Sequence, residues 1–312
     1  MPITIGTGIA IGGGISVVEG PAPSPPGKKA IFGYGTGSAG IVSITNLVSD
    51  TGVVATDTTG VGTARSQLAA AGYGTDKAIF GYGETGSVLS MTNLVSNAGV
   101  VSADVTGVGT ARSLLAAAGY GTDKAIFGFG NSSGGRVAIT NLVSNTGVVA
   151  SDTAGVGTAR FALAAAGYST DKAIFGYGAT FFNVSMTNLV SNTGVVATDT
   201  TGVGEARTNL AAARYGTDKA IFGYGEGAVY FSVTNLVSNT GVVASNTRGV
   251  GTGRSNLAAA GYSTDTAIFG YGLSGAGNLS MTNLVSNTGV VATDTTGVGT
   301  ARYGLAAGSC GS

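Results

Sequence analysis

Six arginines recur along the chain at Arg65, Arg112, Arg160, Arg207, Arg254 and Arg302. Eight positions before them stand Asp57, Asp104, Asp152, Asp199, Asn246 and Asp294. Such carboxylates could hold cations, or each could cap a turn with its side-chain oxygen. Asn246 favours the cap, because it keeps the acceptor and drops the charge while Arg254 stays. The arginines are expected to bond backbone carbonyls or an aspartate where units meet, since a buried guanidinium must be paired. A different pair, Glu205 and Glu226, falls in one variable region and could serve as the two carboxylates of glycoside cleavage.

The rest of the composition argues against catalysis. The chain has no His, and Cys310 is its single Cys. That excludes a Ser-His-Asp or Cys-His site, a His-ligated metal and a disulfide framework. The expectation is a protein that is not an enzyme, with no cofactor and no metal. Lys plus Arg and Asp plus Glu balance at 15 each, and 10% of the 312 residues are charged. No basic field for nucleic acid exists. With 43% apolar residues and 5 Pro the chain should fold. Ile3, Ile5, Ile9, Ile11, Ile15 and Val17 share one parity, which is strand periodicity and not a membrane span, so no membrane insertion is expected.

The elements that position these residues come from an internal repeat. Ala-Ile-Phe begins at Ala30, Ala78, Ala125, Ala173, Ala220 and Ala267, giving six copies of a 47–48-residue unit from Lys28 to Ala307. In the copy Ala64–Gly109, four short strands are expected: Gln67–Ala71, Lys77–Gly81, Val88–Val95 and Val100–Ala103, with a tight turn at Gly72–Asp76 and a hairpin turn at Ser96–Gly99. No capped 3.6-residue period occurs, so no helix is expected. Asp76-Lys77 reads as a solvated turn. Gly81-Tyr82-Gly83 is not a phosphate loop, because no helix follows it. Tyr34, Tyr82, Phe129, Tyr177, Tyr224 and Tyr271 read as packing between units.

This pattern means a β-solenoid or, better, an all-β six-bladed β-propeller of four-stranded antiparallel blades. Inner Leu-Ala-Ala-Ala strands suit a narrow channel. The repeats open at strand two (Lys29–Phe32) and close after strand one (Tyr303–Ala307), so the C-terminal strand should complete the first blade and leave no open edge. The Arg65, small strand, Ala78–Gly83, variable loop and two-strand order resembles the kelch repeat, which implies such a propeller, closed in the same manner. The kelch double glycine is here Gly-Tyr-Gly, and Val53-Val54 stands where kelch carries Trp.

The copies differ mainly in the loop between strands two and three and in the pair after each Arg, which an antiparallel meander places on one face. The large or polar choices there are Arg136, Phe161, Phe181, Phe182, Asn183, Asn209, Glu226, Tyr230, Phe231, Asn256 and Tyr303. Aromatics beside amides suit a carbohydrate or a protein surface. Loops also vary when nothing constrains them, although the opposite loops barely vary. Residues 1–27 form a Gly-rich arm and a Pro-rich linker, Pro21–Gly27, ahead of a propeller spanning 28–312. The arm could dock on another subunit by strand addition or be a disordered tail. Its run Ile3–Gly14 resembles the starts of tailed-phage structural proteins.

The expected role is a non-enzymatic virion fibre, spike or decoration protein within an oligomeric assembly. Residues 1–27 would contact other virion subunits, and the variable face a host-surface glycan or protein. The alternatives are a secreted or surface lectin-like adhesin of a bacterium and a propeller glycoside hydrolase.

Overall fold

A computed structural model describes residues 28–311; the arm at 1–27 lies outside them. The described chain is all β, without a helix, and forms eight three-stranded antiparallel sheets. In the second unit the sheet runs Ala69–Tyr73, Lys77–Gly81, Thr92–Val95, with Ala70 opposite Phe80 and Phe80 opposite Asn93. Five other sheets repeat this order, and two small ones are built from two-residue strands around Thr36–Gly37 and Asn131–Ser132. The middle strand Lys-Ala-Ile-Phe-Gly is buried on both faces, which explains its unbroken apolar run. The turn expected at Gly72–Asp76 is shorter, because Gly72 and Tyr73 continue the ladder as far as Lys77.

The expected fourth strand is present only as isolated bridges, Val95 to Val101 and Thr92 to Val105. These are out of register by one residue, so a bulge splits the ladder. The Asn93 amide fills the gap, donating to the Ser102 carbonyl at 3.0 Å and to Asp104 Oδ1 at 2.9 Å.

The six inner strands touch in a closed cycle, Ala69–Tyr73 meeting Ala116–Tyr120 and so on round to Ala306–Cys310, which meets Ala69–Tyr73 again. Two sets of backbone hydrogen bonds run round the same cycle. At one end Gln67, Leu114, Ala162, Asn209, Asn256 and Gly304 each donate to the equivalent carbonyl of the preceding unit at 2.7–2.9 Å. At the other, Gly74, Gly121, Ser169, Gly216, Ser263 and Gly311 each donate to the following unit at 2.6–2.7 Å. The last strand, Ala306–Cys310, pairs with Lys29–Gly33 as the out-of-phase ends require.

The core lies between units rather than within them: six apolar clusters each join neighbouring sheets. Phe127 from the third unit reaches the second at Gly81, where a Cβ would stand 2.7 Å from the ring. Any larger residue there would push the units apart. In five inner strands the last residue is Tyr, whose ring packs against the turn glycine of the next unit; in the closing strand it is Cys310.

Candidate functional site

Each recurrent arginine is fully buried and has a complete set of partners. Arg65 donates from Nε to the Tyr82 carbonyl at 2.8 Å, from one terminal nitrogen to the Thr63 carbonyl at 3.1 Å and from the other to Asn93 Oδ1 at 2.7 Å. Its guanidinium stacks on the Tyr34 ring of the preceding unit, 4.4 Å from the centroid. Tyr82 adopts a left-handed backbone, φ 63°, which turns its carbonyl toward the arginine. The Tyr34 ring meets Phe80 edge-on at 5.1 Å and its hydroxyl donates to the Val61 carbonyl. The recurrent Tyr and Arg are therefore joint-forming residues, as the sequence suggests.

The aspartates differ from a local cap. Asp104 accepts from the backbone and hydroxyl of Thr63, 41 residues earlier, and so fastens the segment that enters the unit to the unit's outer edge. Asp57 does the same for Thr300 and thereby joins the two ends of the chain. Partial burial pulls the Asp57 carboxyl up, but hydrogen bonds from Thr300 and Asn46, with the Arg302 charge, hold it below the usual carboxylate range. In the fifth unit both partners differ: Glu205 replaces the threonine and Asn246 the aspartate, joined by the Glu205 amide at 3.2 Å. Two facing carboxylates are thus avoided. No group of three Asp, Glu, Cys or His able to hold a metal exists among the described residues.

The variable segments do share one edge. The pair after the arginine bridges the loop between strands two and three at Ser66–Glu84, Phe161–Ala179 and Thr208–Glu226. On this edge several expected residues form one connected arc. Arg136 stacks on Phe181 at 4.1 Å and donates to the Thr180 carbonyl at 3.2 Å. Asn183 reaches the Glu226 carbonyl at 3.4 Å. The Glu226 carboxylate accepts from Asn209 at 2.8 Å and Ser255 at 2.9 Å. Asn256 contacts Ser255 and accepts from Gln67 at 3.1 Å. Phe181 and Phe182 stand out at 85% and 81% exposure, against the burial usual for phenylalanine.

Other expected residues lie on the edge without joining the arc by a side-chain hydrogen bond. Phe161 bridges Ala179, Tyr230 bridges Glu226, and Tyr303 pairs with Thr36 in the first unit. The Phe231 ring lies over Gly227. Gln67, Ser255 and Thr180 belong to the arc although sequence reasoning did not select them; the variation between copies was their signal. With both oxygens bonded, Glu226 is held as a structural acceptor, while Glu205 sits in the joint to Asn246. On this face the channel is stoppered by the six hydrogen-bonded residues and the ring of leucines behind them, leaving a cavity of about 70 Å³.

Compared with known proteins, the chain matches no family model and no curated protein.

Proposed function

We propose that the chain is a six-bladed, kelch-like β-propeller acting as a non-enzymatic binding and structural module. The closed cycle of inner strands and the pairing of Ala306–Cys310 with Lys29–Gly33 support the propeller. The reading of function rests on one observation, the Arg136–Phe181–Glu226–Asn256 arc on a single edge of an otherwise uniform repeat. Two solvent-facing phenylalanines, a stacked guanidinium and side-chain amides fit the faces and hydroxyls of a sugar, or a neighbouring protein surface. The setting is a virion fibre, spike or decoration protein, on the resemblance of Ile3–Gly14, with the arc toward a host-surface glycan or an adjoining subunit.

The test is binding of the full chain to a glycan array and to whole bacterial cells, beside Phe181→Ala/Phe182→Ala. Both rings are exposed, so the double variant should fold and keep its thermal midpoint. A restricted set of bound glycans or cells, lost at least tenfold in the variant, is the expected result. A flat response of the natural chain would remove the recognition role.

A further inference from the structure

The face opposite the arc has its own departure from the repeat. At the fourth position of the inner strand, Gly72, Gly119, Gly167 and Gly261 leave the channel wall bare, and the closing strand has Ser309. The fifth unit alone carries a charge there, Arg214. Its side chain enters a cavity of about 260 Å³ at the centre of the six inner strands. A second departure meets it. Where five units have an aspartate beside this mouth, the first has Lys28. Both Lys28 and Arg214 line the cavity.

Among the described residues the lining contains Lys28, Lys124, Lys172 and Arg214 and no carboxylate. Of the aspartates in the adjoining turns, Asp218 pairs with Lys219 at 3.1 Å and Asp76 with Lys77 at 2.8 Å, outside the lining, while Asp123 neutralises the lining Lys124 at 3.0 Å and leaves Lys28, Lys172 and Arg214 as the cations without an ion pair among the described residues. The Arg214 side chain has no hydrogen bond and no ion pair among the described residues, in contrast to the six joint arginines. The cavity mouth also presents one threonine from the same turn of five units, Thr75 and its equivalents, whose hydroxyls have no hydrogen bond among the described residues. Burial in the cavity lowers the proton affinity of Lys28, and the Arg214 charge lowers it further. An anion between them would offset both costs. The volume falls below the roughly 300–1,000 Å³ of sites for drug-sized ligands, which points to a small ion.

We propose that this cavity binds a phosphate-sized oxyanion, with Arg214 as the bidentate donor, Lys28 as the second charge and the threonine hydroxyls completing its shell. The site lies on the face away from the arc and needs no part of the recognition reading.

The experiment is isothermal titration of the full chain with inorganic phosphate and pyrophosphate at constant ionic strength, with the thermal midpoint followed in parallel. Arg214→Gly restores the residue of four other units and should fold unchanged; Lys28→Asp restores that of five. Saturable 1:1 binding by the natural chain, weakened at least tenfold in Arg214→Gly and accompanied by loss of the phosphate-dependent rise in midpoint, is expected. Preference for pyrophosphate over phosphate would mark a phosphorylated metabolite as the source, and equal affinity would mark free phosphate. Absence of saturable binding, or equal binding by Arg214→Gly, would overturn the assignment.

Discussion

A guanidinium stripped of water is tolerable here because hydrogen-bond acceptors and an aromatic face replace the water at every joint. Burial draws Arg160 down to about 10, while the Asp199 charge opposes the fall, so the group keeps its proton at neutral pH. Replacing Arg160 by Met would leave the Tyr177 carbonyl and Asn188 without their donor and the Phe129 ring without its cation. The cost should be about 3 kcal/mol or more. Denaturant unfolding would measure it, and a loss under about 1 kcal/mol would remove the arginine from the framework.

The aspartates set the acid limit. Their folded pKa values lie below the unfolded value near ~3.9, so their stabilisation is complete above that value and is lost as pH falls through the folded pKa. The thermal midpoint should stay level from pH 7 to about 5 and drop below about 4; a midpoint that rises on acidification would contradict the assignment. The acceptor role of these residues was legible in the Asn246 exchange. Their partner was not, because Thr63 and Asp104 lie 41 residues apart and no local spacing connects them.

Among the elements, sequence periodicity located the six main sheets, but it read the two small ones, around Thr36–Gly37 and Asn131–Ser132, as loops and misjudged strand ends. Val88–Val95 alternates in the strand manner, yet only Thr92–Val95 forms a strand, whereas its equivalent in the sixth unit, Gly277–Val285, runs unbroken; in both units the left-handed tyrosine, Tyr82 or Tyr271, puts a one-residue register shift into the pairing. A positive φ on an aromatic residue leaves no mark on hydrophobic alternation. The bulge opposite Asn93 hid the weakness of the fourth strand in the same way. The Glu205–Asn246 joint gives the element-scale test. Asn246→Asp alone sets two carboxylates together and should destabilise by about 1 kcal/mol, more at low salt. Adding Glu205→Thr recreates the joint of the other units and should recover the loss. A double-mutant cycle in urea would show it; additive effects would mean that the two side chains do not meet.

For the whole molecule, the phase of the repeats announced that the ends must join, and the pairing of Lys29 with Cys310 fulfils it. The arc was only half legible: variation identified its edge, but the Glu226 bonds and the stoppered channel depend on which side chains meet across units. Deleting 306–312 removes a five-residue ladder and half of a joint, and should cost about 3 kcal/mol or more. Conversely, Ser312 joined directly to Lys28 would copy the Gly74-Thr75-Asp76 turn in length. A permutant so joined, lacking 1–27 and opened between Asn97 and Ala98, should melt no lower than the natural chain. Calorimetry of both would check the pair, and an unchanged midpoint after the deletion would deny that the cycle is closed.

One junction is built from smaller side chains than its five counterparts. Where the closing strand ends, a thiol stands in for a phenol ring, and the turn above it, Ser96–Gly99, carries Ala98 in place of the threonine used elsewhere. The three atoms nearest a Cβ at Gly99 accordingly all belong to Leu47, whereas at Gly147 they come from both Leu94 and Tyr73. Like the catch of a bracelet, this spot should part first under heat or force. Burial pushes the Cys310 thiol up to about 11, while Lys29 and Lys28 oppose the rise, so it stays unreactive while the catch holds. The chain thus carries a chemical alarm at its own weakest link, silent until the ends separate and audible to any alkylating reagent from that moment on.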